Sequence, residues 1–507
     1  MAPMETTTVT RLPRTIVIVG AGFSGTAVAI NLLRLSYWKP VRIVLVERAA
    51  RMARGAAYAE RPYPYLLNVP AGRMSLASSD PLEFLKFAQR HFPNATADDF
   101  LPRSVYGEYL EAALRNTELA SPSHVHLHRI QGDVCSLERA TGSSQFRVKL
   151  DDGSTLPADD VVLALGNPPP EAFPGSESLR HSSRYVGDPW SSQTHFQPGE
   201  TALVIGTGLT MADKVLSGSA ATRDRVTFHA ISRRGLVPPS QTAFRHAGCD
   251  EQGVTLLRAA SASARQLVRA VRQLSDEVQH RGGDWREAIT CVRNLAPALW
   301  QRLSTQERRR FLRHARPYWD VHRHRLPQET LAKLQALQRS NKLHVHAGRI
   351  VKFELAGEKI QVSWHARGSD TIQTLLVDRV INCTGADYNP RRSRDRLTRS
   401  LLDQGLLTPD TLGLGIRTAA HGAPIDSRNR VVENLYYIGP MLRADHWEST
   451  AAQELRVHAE RLAHHLSTSA VTPMFASRQA PQQSTTAIVA APSSPAALAT
   501  TRLARSV

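Results

Sequence analysis

The sequence predicts an α/β fold made of two interleaved strand–helix–strand units, with a helical insertion in the second unit. Three observations support this prediction. A glycine-rich turn follows an apolar run near residue 20, a second such turn follows near residue 206, and another strand-like run comes near residue 435. The chain has 507 residues, of which 42% are hydrophobic. The length is enough for about three domain-sized units of roughly 150 residues. The hydrophobic fraction excludes a wholly disordered chain.

The first unit begins with a β-rich run, 15–19, that leads directly into Gly20-Ala21-Gly22-Phe23-Ser24-Gly25. A helical pattern follows over 26–35, and a second strand, 42–46, ends at Glu47. This pattern is typical of a Rossmann-type dinucleotide-binding domain. The glycines let the backbone approach a pyrophosphate, the helix N-terminus offers N–H groups, and the acid accepts hydrogen bonds from a ribose. We therefore expect cofactor contacts from Gly20, Gly22, Ser24, Gly25 and Glu47.

The same stretch also has features of a signal peptide or a membrane segment. Arg11 and Arg14 precede an uncharged run, 15–33, that contains Ala27-Val28-Ala29. The βαβ pattern explains the same residues and also gives each glycine and Glu47 a role. It predicts a cytoplasmic protein that does not contact a membrane, with all of its cysteines as reduced thiols: Cys135, Cys249, Cys291 and Cys383.

The second unit has a strand-like run, 201–205, followed by Gly206-Thr207-Gly208-Leu209-Thr210-Met211-Ala212-Asp213. Met211 stands where the third glycine is expected. The next strand, 225–231, ends in Ser-Arg-Arg and has no acidic residue there. Arginine at this position binds an adenosine 2′-phosphate, so NADPH is favoured over NADH. The alternative is that these arginines are only surface charge. The predicted contacts are Gly206, Gly208, Thr210, Asp213, Arg233 and Arg234.

Two such units in one chain indicate FAD in the first site and NAD(P)H in the second. The first helix lies near the N-terminus and its unit has the acidic residue, which favours FAD there. Two strands, 160–165 and 378–383, each begin with an acidic residue and end in a small-residue turn that contains Gly166 or Gly385. A third strand ends at Gly439 and Pro440, and a helix is predicted to begin near Glu448 and Ser449. We expect these residues to border the flavin.

The predicted layout is interleaved. Residues 14–198 form the first part of the FAD-binding domain, 199–390 the NAD(P)-binding domain, and 391–465 the returning part of the FAD-binding domain. Residues 466–507 contain no acidic residue and are predicted to be a disordered tail. A helical insertion occupies 252–340 within the second domain.

The insertion is rich in arginine and ends in Trp319-Asp320-Val321-His322-Arg323-His324-Arg325. One interpretation is a solvated helix face with a packed tryptophan. The other is a wall of the active site, in which His322 and Arg325 face an anionic substrate as candidate catalytic residues. No carboxylate or cysteine lies at clear ligand spacing from these histidines, so no metal site is predicted. Helix starts are expected at Ser304, with Glu307 in a capping box, and at Pro327.

Together these residues resemble the two-dinucleotide-binding flavoproteins, and among them the FAD/NAD(P)-binding family that includes a FAD-dependent urate hydroxylase and an aspartate N-monooxygenase. The resemblance covers about 14–465 and rests on 66–75, 106–110, 161–170, 206–213, 319–325 and 448–452. It implies that the loop 68–75 lies against the flavin, through Asn68, Arg73, Met74 and Ser75. An ordinary structural loop is the alternative.

The remaining chemistry is that of an oxidoreductase. Dithiol–disulfide reduction is excluded because no two cysteines are close in sequence. The resemblance favours a monooxygenase that consumes NAD(P)H and O₂ and hydroxylates a small, anionic substrate. Urate, hydroxylated at C5 to 5-hydroxyisourate in purine catabolism, is the first expectation. N-hydroxylation of an amino acid or amine is the alternative, and a non-catalytic nucleotide-binding regulatory protein is a third.

The net charge of +18 invites a nucleic-acid interpretation. Only eight of the 63 basic residues are lysine, and the arginines are spread without a long basic tract. Charge of this kind is non-specific, so we expect no nucleic-acid partner. The sequence does not determine the oligomeric state.

Overall fold

Two parallel sheets carry the two glycine-rich turns. The computed structural model describes residues 13–35, 40–140, 142, 144–191, 194–241 and 250–468. Within them, strands β1 to β17 are, in chain order, Arg14–Val19, Val41–Glu47, Val125–Gln131, Val134–Arg139, Phe146–Leu150, Thr155–Ala158, Asp160–Leu163, Tyr185–Val186, Thr201–Ile205, Thr227–Ser232, Ser240–Gln241, Leu326–Pro327, Leu343–Ala356, Lys359–Ala366, Ile372–Val377, Arg379–Asn382 and Leu435–Tyr437.

Helices α1 to α13 of the described residues are, in chain order, Phe23–Arg34, Gly55–Tyr58, Glu83–Ala88, Arg103–Leu119, Leu209–Thr222, Glu251–Ala259, Ala264–His280, Trp285–Arg302, Thr305–Arg310, Arg316–Arg323, Gln328–Arg339, Arg396–Asp403 and Ala452–Thr468. A π-helical turn, Phe311–Ala315, joins α9 to α10.

The first sheet has five parallel strands in the order β17-β7-β1-β2-β3, which is the arrangement of a Rossmann sheet. Its strands read as continuous apolar runs because both faces are covered. On β1, Ile16 and Ile18 pack against α1, α4 and α13. Val17 and Val19 pack on the opposite face against α12 and the antiparallel sheet β4-β5-β6.

The second sheet has seven strands in the order β15-β14-β13-β10-β9-β16-β8. Strands β8, β9, β10, β16 and the first half of β13 are parallel, whereas β13, β14 and β15 continue as an antiparallel meander. All strands of this sheet lie between β7 and β17 of the first sheet in the sequence. The predicted interleaving of two Rossmann-type units is therefore confirmed.

The two units share a detail that explains a sequence pattern. In the first unit the Thr15 backbone N–H donates to Asp159 Oδ2 at 2.7 Å. In the second unit the Thr201 N–H donates to Asp378 Oδ2 at 2.8 Å. In each unit an acidic residue just before a strand, β7 or β16, binds the start of the neighbouring parallel strand, β1 or β9. The acidic residues at these strand starts therefore have a structural role. In the first unit Asp159 shares it with the buried Asp160, which pairs with Arg14 of β1 at 2.6 Å.

The predicted insertion is helical. Helices α6, α7 and α8 pack around their own apolar core. Ser304 caps α9 by accepting a hydrogen bond from the Glu307 N–H, but the Glu307 carboxylate binds the Ala264 N–H instead of closing a capping box. Pro327 is the N-cap of α11, one position earlier than a first helical residue. Leu334 and Leu337 of α11 pack in the core of the second sheet. Helix α11, the last part of 252–340, is therefore a helix of the second Rossmann-type unit and not part of the insertion.

The described residues also bear on the N-terminal apolar run, the cysteines and the predicted C-terminal tail. The uncharged run 15–33 forms β1, the turn and α1, and no helix of the described residues is long and apolar enough to cross a membrane. Cys135 and Cys383 are free thiols, but Cys291 is disulfide-bonded. The expectation of reduced thiols, which rested on the predicted compartment alone, is wrong for Cys291. Helix α13 extends to Thr468, so the predicted tail at 466–507 lies outside the described residues from 469 onward.

The second glycine turn offers a matched pair of substitutions. Gly206 has φ +106, and a Cβ there would lie 2.6 Å from the Cys383 carbonyl oxygen. Gly206→Ala should lower the free energy of unfolding by about 2 kcal/mol or more, measured as the thermal midpoint. A Cβ at Gly208 meets open space, so Gly208→Ala should keep the thermal midpoint and weaken NADP⁺ binding. Equal midpoints for the two variants would contradict this account.

Candidate functional site

The first glycine turn is shaped to receive a phosphate group. Gly20 has φ +100, and a Cβ there would lie 2.3 Å from the Ala164 carbonyl oxygen. Gly22 is the N-cap of α1 and gives it no side-chain hydrogen bond, so the first N–H groups of the helix are not capped by a side chain and can bind an anion. A Cβ at Gly25 would lie 1.9 Å from the Gly20 carbonyl oxygen, which explains the third glycine. Ser24 is buried in the first turn of α1.

Glu47 lies at the end of β2 beside this turn. Its Oε2 accepts the Ala21 backbone N–H at 2.7 Å, and its Oε1 accepts the Ala49 N–H at 3.1 Å. The two bonds fix the carboxylate next to the turn, where its remaining lone pairs can accept ribose hydroxyls. The residues present therefore fit a dinucleotide such as FAD.

The second turn has the same form with one difference. Gly208 is the N-cap of α5, again without a side-chain hydrogen bond, and space opens beside it. Met211, in place of the third glycine, is fully buried in the core between α5 and the sheet. The missing glycine is thus replaced by apolar packing, and the turn still fits a dinucleotide. Thr210 lies in the first turn of α5.

Asp213, predicted to contact the cofactor, has a protein partner. Arg103 of α4 donates to it at 2.9 Å, which links the two units. Burial raises the pKa of Asp213 although Arg103 acts against it. The pair borders a cavity of about 190 Å³ that is also lined by Tyr63, Asn68 and Lys333. Asp213 therefore joins the units at this cavity, and its predicted contact with a cofactor stays a prediction.

The two small-residue turns run side by side where the units meet. Gly166 and Gly385 have φ +73 and +91, and the Asp387 N–H donates to the Pro169 carbonyl at 3.1 Å. The Asn382 side chain donates to the Glu171 carbonyl at 2.8 Å. These contacts bring the ends of β7 and β16 together, as expected for segments that connect the two cofactor sites.

The loop 68–75 contacts the returning C-terminal segment. Gln453 donates to the Arg73 carbonyl at 3.1 Å, and Arg456 donates to the Ser75 carbonyl at 2.8 Å. The Ser75 hydroxyl donates to the Pro81 carbonyl and accepts the Phe84 N–H, so Ser75 has a structural role in the loop. Met74 is buried. The structure joins these residues to α13, while their contact with a flavin stays a prediction.

The segment after β17 differs from expectation. Gly439, at φ +146, precedes a 3₁₀ turn that begins at Pro440. The helix predicted to begin near Glu448 is present, but residues 448–451 form tight turns and α13 begins at Ala452. Glu448 and Ser449 therefore precede the helix.

Glu448 is a buried carboxylate that binds two side chains of α10. Trp319 Nε1 donates to Glu448 Oε1 at 3.0 Å, and Arg323 Nε donates to Oε2 at 2.8 Å. Burial acts to raise the pKa of Glu448, but Arg323 and His324 outweigh it, so the pKa is held below its ordinary value. The adjacent Ser449 is 1% exposed, and its hydroxyl has no partner among the described residues.

Arg323 is one of four arginines that lie close enough to act on one another's charge, and we call Arg73, Arg293, Arg323 and Arg325 the arginine cluster. Burial, and then the charge of a neighbouring member, lowers the pKa of three of them. Arg293 acts on Arg73, and Arg323 acts on both Arg293 and Arg325. Arg293 binds Glu454 at 2.6 Å and Gln453 at 2.7 Å. Arg323 Nη2 is buried without a partner among the described residues.

Two members of the arginine cluster form ion pairs, Arg323 with Glu448 and Arg293 with Glu454. The Nη2 group of Arg323 still lacks an acceptor among the described residues. A buried donor without an acceptor costs about 1–3 kcal/mol, and more when it is charged. An anionic ligand would supply the acceptor that Arg323 Nη2 lacks.

The two predicted catalytic residues, His322 at the end of α10 and Arg325 just after it, both lie beside Trp285. His322 Nδ1 contacts the Tyr318 carbonyl oxygen, and the ring packs edge-on against Trp285. Arg325 belongs to the arginine cluster. His324, which the sequence analysis did not choose, lies near Glu448 and Arg323, and burial followed by Arg323 lowers its pKa. The spacing of Trp319 and Arg323, four residues apart on one helix, was the available signal for the Glu448 contact.

A comparison with protein-family models agrees with the interpretation of the first glycine turn as part of a dinucleotide-binding site. Residues 17–168 match the family model described as FAD-NAD(P)-binding, so the first unit is an FAD/NAD(P)-binding domain. No curated protein shows significant similarity to the sequence.

Several solved structures share the fold. L-lysine 6-monooxygenase from Pseudomonas syringae has a TM-score of 0.59 at 16% identity, over 89% of this chain and 98% of that one. An ornithine N-hydroxylase from Kutzneria sp. 744, with reduced FAD, NADP⁺ and L-ornithine, has a TM-score of 0.56 at 14% identity, over 90% and 100%. Bacillithiol disulfide reductase from Staphylococcus aureus has a TM-score of 0.52 at 10% identity, over 91% and 99%. Such low identities show the fold, and the reaction must be argued from the site.

The effect of breaking the buried Glu448–Arg323 ion pair can be measured as a change in the free energy of unfolding. Arg323→Met leaves a buried carboxylate without its charged partner, and we expect the free energy of unfolding to fall by about 3 kcal/mol in urea. Lys333→Met is the control, since its ion pair with Glu329 is exposed and should be worth less than about 1 kcal/mol. Equal losses in both variants would show that Glu448 is not a buried anchor.

Proposed function

We propose that this protein is an FAD-dependent monooxygenase that uses NAD(P)H and O₂ to hydroxylate the nitrogen of a carboxylate-bearing amine or amino acid. The observation that carries the proposal is Arg323 of the arginine cluster, which binds the buried Glu448 and leaves its own buried Nη2 group without an acceptor among the described residues. The structurally similar lysine and ornithine hydroxylases support nitrogen as the reacting atom. Urate hydroxylation, the first expectation from the sequence, receives no support from these comparisons.

The proposed reaction balances as follows. NAD(P)H supplies two electrons, one oxygen atom of O₂ goes to the amine nitrogen, and the other leaves as water with a proton from solvent. FAD, when bound, supplies the oxygen activation that no side chain can perform. The protein's own residues have the tasks of binding, orientation and exclusion of water.

The dinucleotide-binding residues follow from the two turns. The N-terminus of α1 would hold FAD through its phosphates, and Glu47 would hold it through a ribose. The N-terminus of α5 binds the pyrophosphate of NAD(P)H in the same way. The neighbouring ends of β7 and β16 would bring the two cofactors together at the junction of the units.

The substrate-binding residues follow from charge. Arg323 Nη2 and the Ser449 hydroxyl are buried polar groups that lack partners among the described residues, and both suit a carboxylate oxygen. Glu448 accepts a hydrogen bond from Arg323 Nε and so keeps the guanidinium in place, which leaves Arg323 Nη2 for the ligand. A purely cationic diamine would offer these two groups no carboxylate oxygen. An amino acid with an acidic side chain has more carboxylate oxygens for Arg323 Nη2 and the Ser449 hydroxyl than lysine or ornithine has.

A substrate panel tests the reaction. The FAD-loaded protein is mixed with NADPH and, in turn, aspartate, glutamate, ornithine, lysine, cadaverine and urate, while NADPH oxidation, O₂ uptake and hydroxylamine product are followed. We expect hydroxylamine from an acidic amino acid and none from cadaverine. Loss of urate absorbance without hydroxylamine from any amine would overturn N-hydroxylation. A protein that FAD does not colour, or whose flavin NADPH does not bleach, would overturn the enzymatic proposal.

The role of the arginine cluster has its own test. Arg325→Met should raise the KM for the accepted anionic substrate at least tenfold, a loss of about 1.4 kcal/mol, because a charged contact is lost. Flavin reduction by NADPH without substrate should be unchanged. Arg309→Met, an exposed position of the same insertion, is the control and should leave the KM within twofold. An unchanged KM in Arg325→Met would remove this arginine from the pocket.

A further inference from the structure

Strand β15, Ile372–Val377, is the last strand at one edge of the seven-stranded sheet. Among the described residues it pairs on one side only, with β14. Its other side therefore presents backbone N–H and C=O groups that no strand of the described part of the chain binds. Native proteins shorten, charge or cover such an edge, because it can pair with a strand of another chain.

This edge has no such protection along its length. Residues 371–377 are Thr-Ile-Gln-Thr-Leu-Leu-Val and contain no charge, proline or glycine, a composition that favours pairing with another strand. Ile372 and Leu376 are 57% and 50% exposed, whereas the alternate residues Leu375 and Val377 pack in the core beneath the sheet. An exposed apolar edge of this kind indicates an interaction surface.

The sequence of the strand is complementary to itself. When two copies pair antiparallel around a twofold axis at Thr374, Ile372 of one copy lies opposite Leu376 of the other, and the reverse pair forms as well. Opposite side chains of an antiparallel pair have Cβ atoms about 4.5–5.5 Å apart, and apolar pairs at this distance stabilise a sheet. A shift of the pairing by one residue would bring exposed positions opposite buried ones.

The charges at the two ends of the strand favour the same register. Asp370 is exposed and belongs to none of the ion pairs formed within the described ranges. The axis at Thr374 places Asp370 level with Asp378 of the other copy, whose carboxylate accepts the Thr201 N–H at 2.8 Å and pairs with Lys359 at 3.0 Å. Lys359 begins β14 of that copy, two strand spacings or about 10 Å from Asp370. The side chains of a lysine and an aspartate together span this distance, and the symmetry forms the contact twice.

We propose that β15 pairs antiparallel with β15 of a second copy of this chain, around an axis at Thr374, so that two seven-stranded sheets join into one. The strand has six residues and is about 20 Å long. An interface of this length is at the small end of specific ones, so the dimer is reversible and depends on protein concentration. The dimer does not depend on the proposed reaction, because β15 contributes no residue to the arginine cluster or to the glycine turns.

Sedimentation equilibrium of the full chain tests the dimer. The wild-type protein should change from monomer to dimer as its concentration rises from roughly 1 to 100 µM. Leu376→Lys should raise the Kd of the dimer at least about tenfold, because each dimer loses two apolar pairs and would bury two ammonium groups. Leu355→Lys is the matched control and should keep the Kd within about twofold, since Leu355 is 54% exposed but lies on β13, two strands in from the edge. The thermal midpoints of both variants show whether they fold as the wild type does.

A cysteine at the axis tests the register. In Thr374→Cys the two thiols face each other, so mild oxidation should link the copies into a covalent dimer. In Gln373→Cys each thiol lies opposite Leu375 of the other copy and at least about 7 Å from its counterpart, too far for a disulfide. The wild-type protein is the control for the free thiols of Cys135 and Cys383.

Several results would overturn the proposal. One is a wild-type protein that stays monomeric at every concentration, and another is a dimer that Leu376→Lys leaves intact. Equal weakening by Leu355→Lys and Leu376→Lys would point to packing between sheet faces in place of edge pairing. A covalent dimer from Gln373→Cys and none from Thr374→Cys would contradict the axis. A mass above that of a dimer would contradict a twofold pairing, which closes on itself.

Discussion

A single buried carboxylate, Glu448, holds the candidate site together. It accepts hydrogen bonds from Trp319 and Arg323, which belong to the insertion of the second unit, while Glu448 itself lies on the segment that returns to the first unit. A buried ion pair contributes little to stability, but breaking one is costly. The insertion must therefore stay docked on the returning segment for Glu448 and Arg323 to remain paired. The position of the rest of the arginine cluster follows from that contact.

Much of the fold could be predicted from the sequence because the decisive signals are local. The run 201–205 and the turn at Gly206 are adjacent in the chain, and their order alone specifies the start of a Rossmann unit. The structure also gives a reason for a pattern in the sequence, the acidic residues at the starts of the runs 160–165 and 378–383. Asp160 pairs with Arg14 of β1, and Asp378 accepts the Thr201 N–H of β9.

The site was less predictable because its contacts are distant in sequence. Arg293 and Glu454 are separated by 161 residues, and Trp319 and Glu448 by 129. No periodicity or motif links such pairs, and the excess of arginine hides the few that are buried. Met211 shows a different limit of motif-based prediction. The third glycine of the motif allows a helix to pack closely on a strand. In the second unit the buried Met211 packs between α5 and the sheet instead.

Helix α10 has eight residues, so it is about 12 Å long, and it contacts both parts of the proposed chemistry. Tyr318 lies against Arg234, and Trp319 and Arg323 hold Glu448. If a nucleotide phosphate shifts this helix, it changes the affinity of the arginine cluster for its anion. Thermodynamic linkage then requires the anion to change the affinity for the nucleotide by the same factor. An enzyme with such reciprocity would hold its reductant most tightly when a substrate is present, and so would waste fewer electrons on oxygen alone.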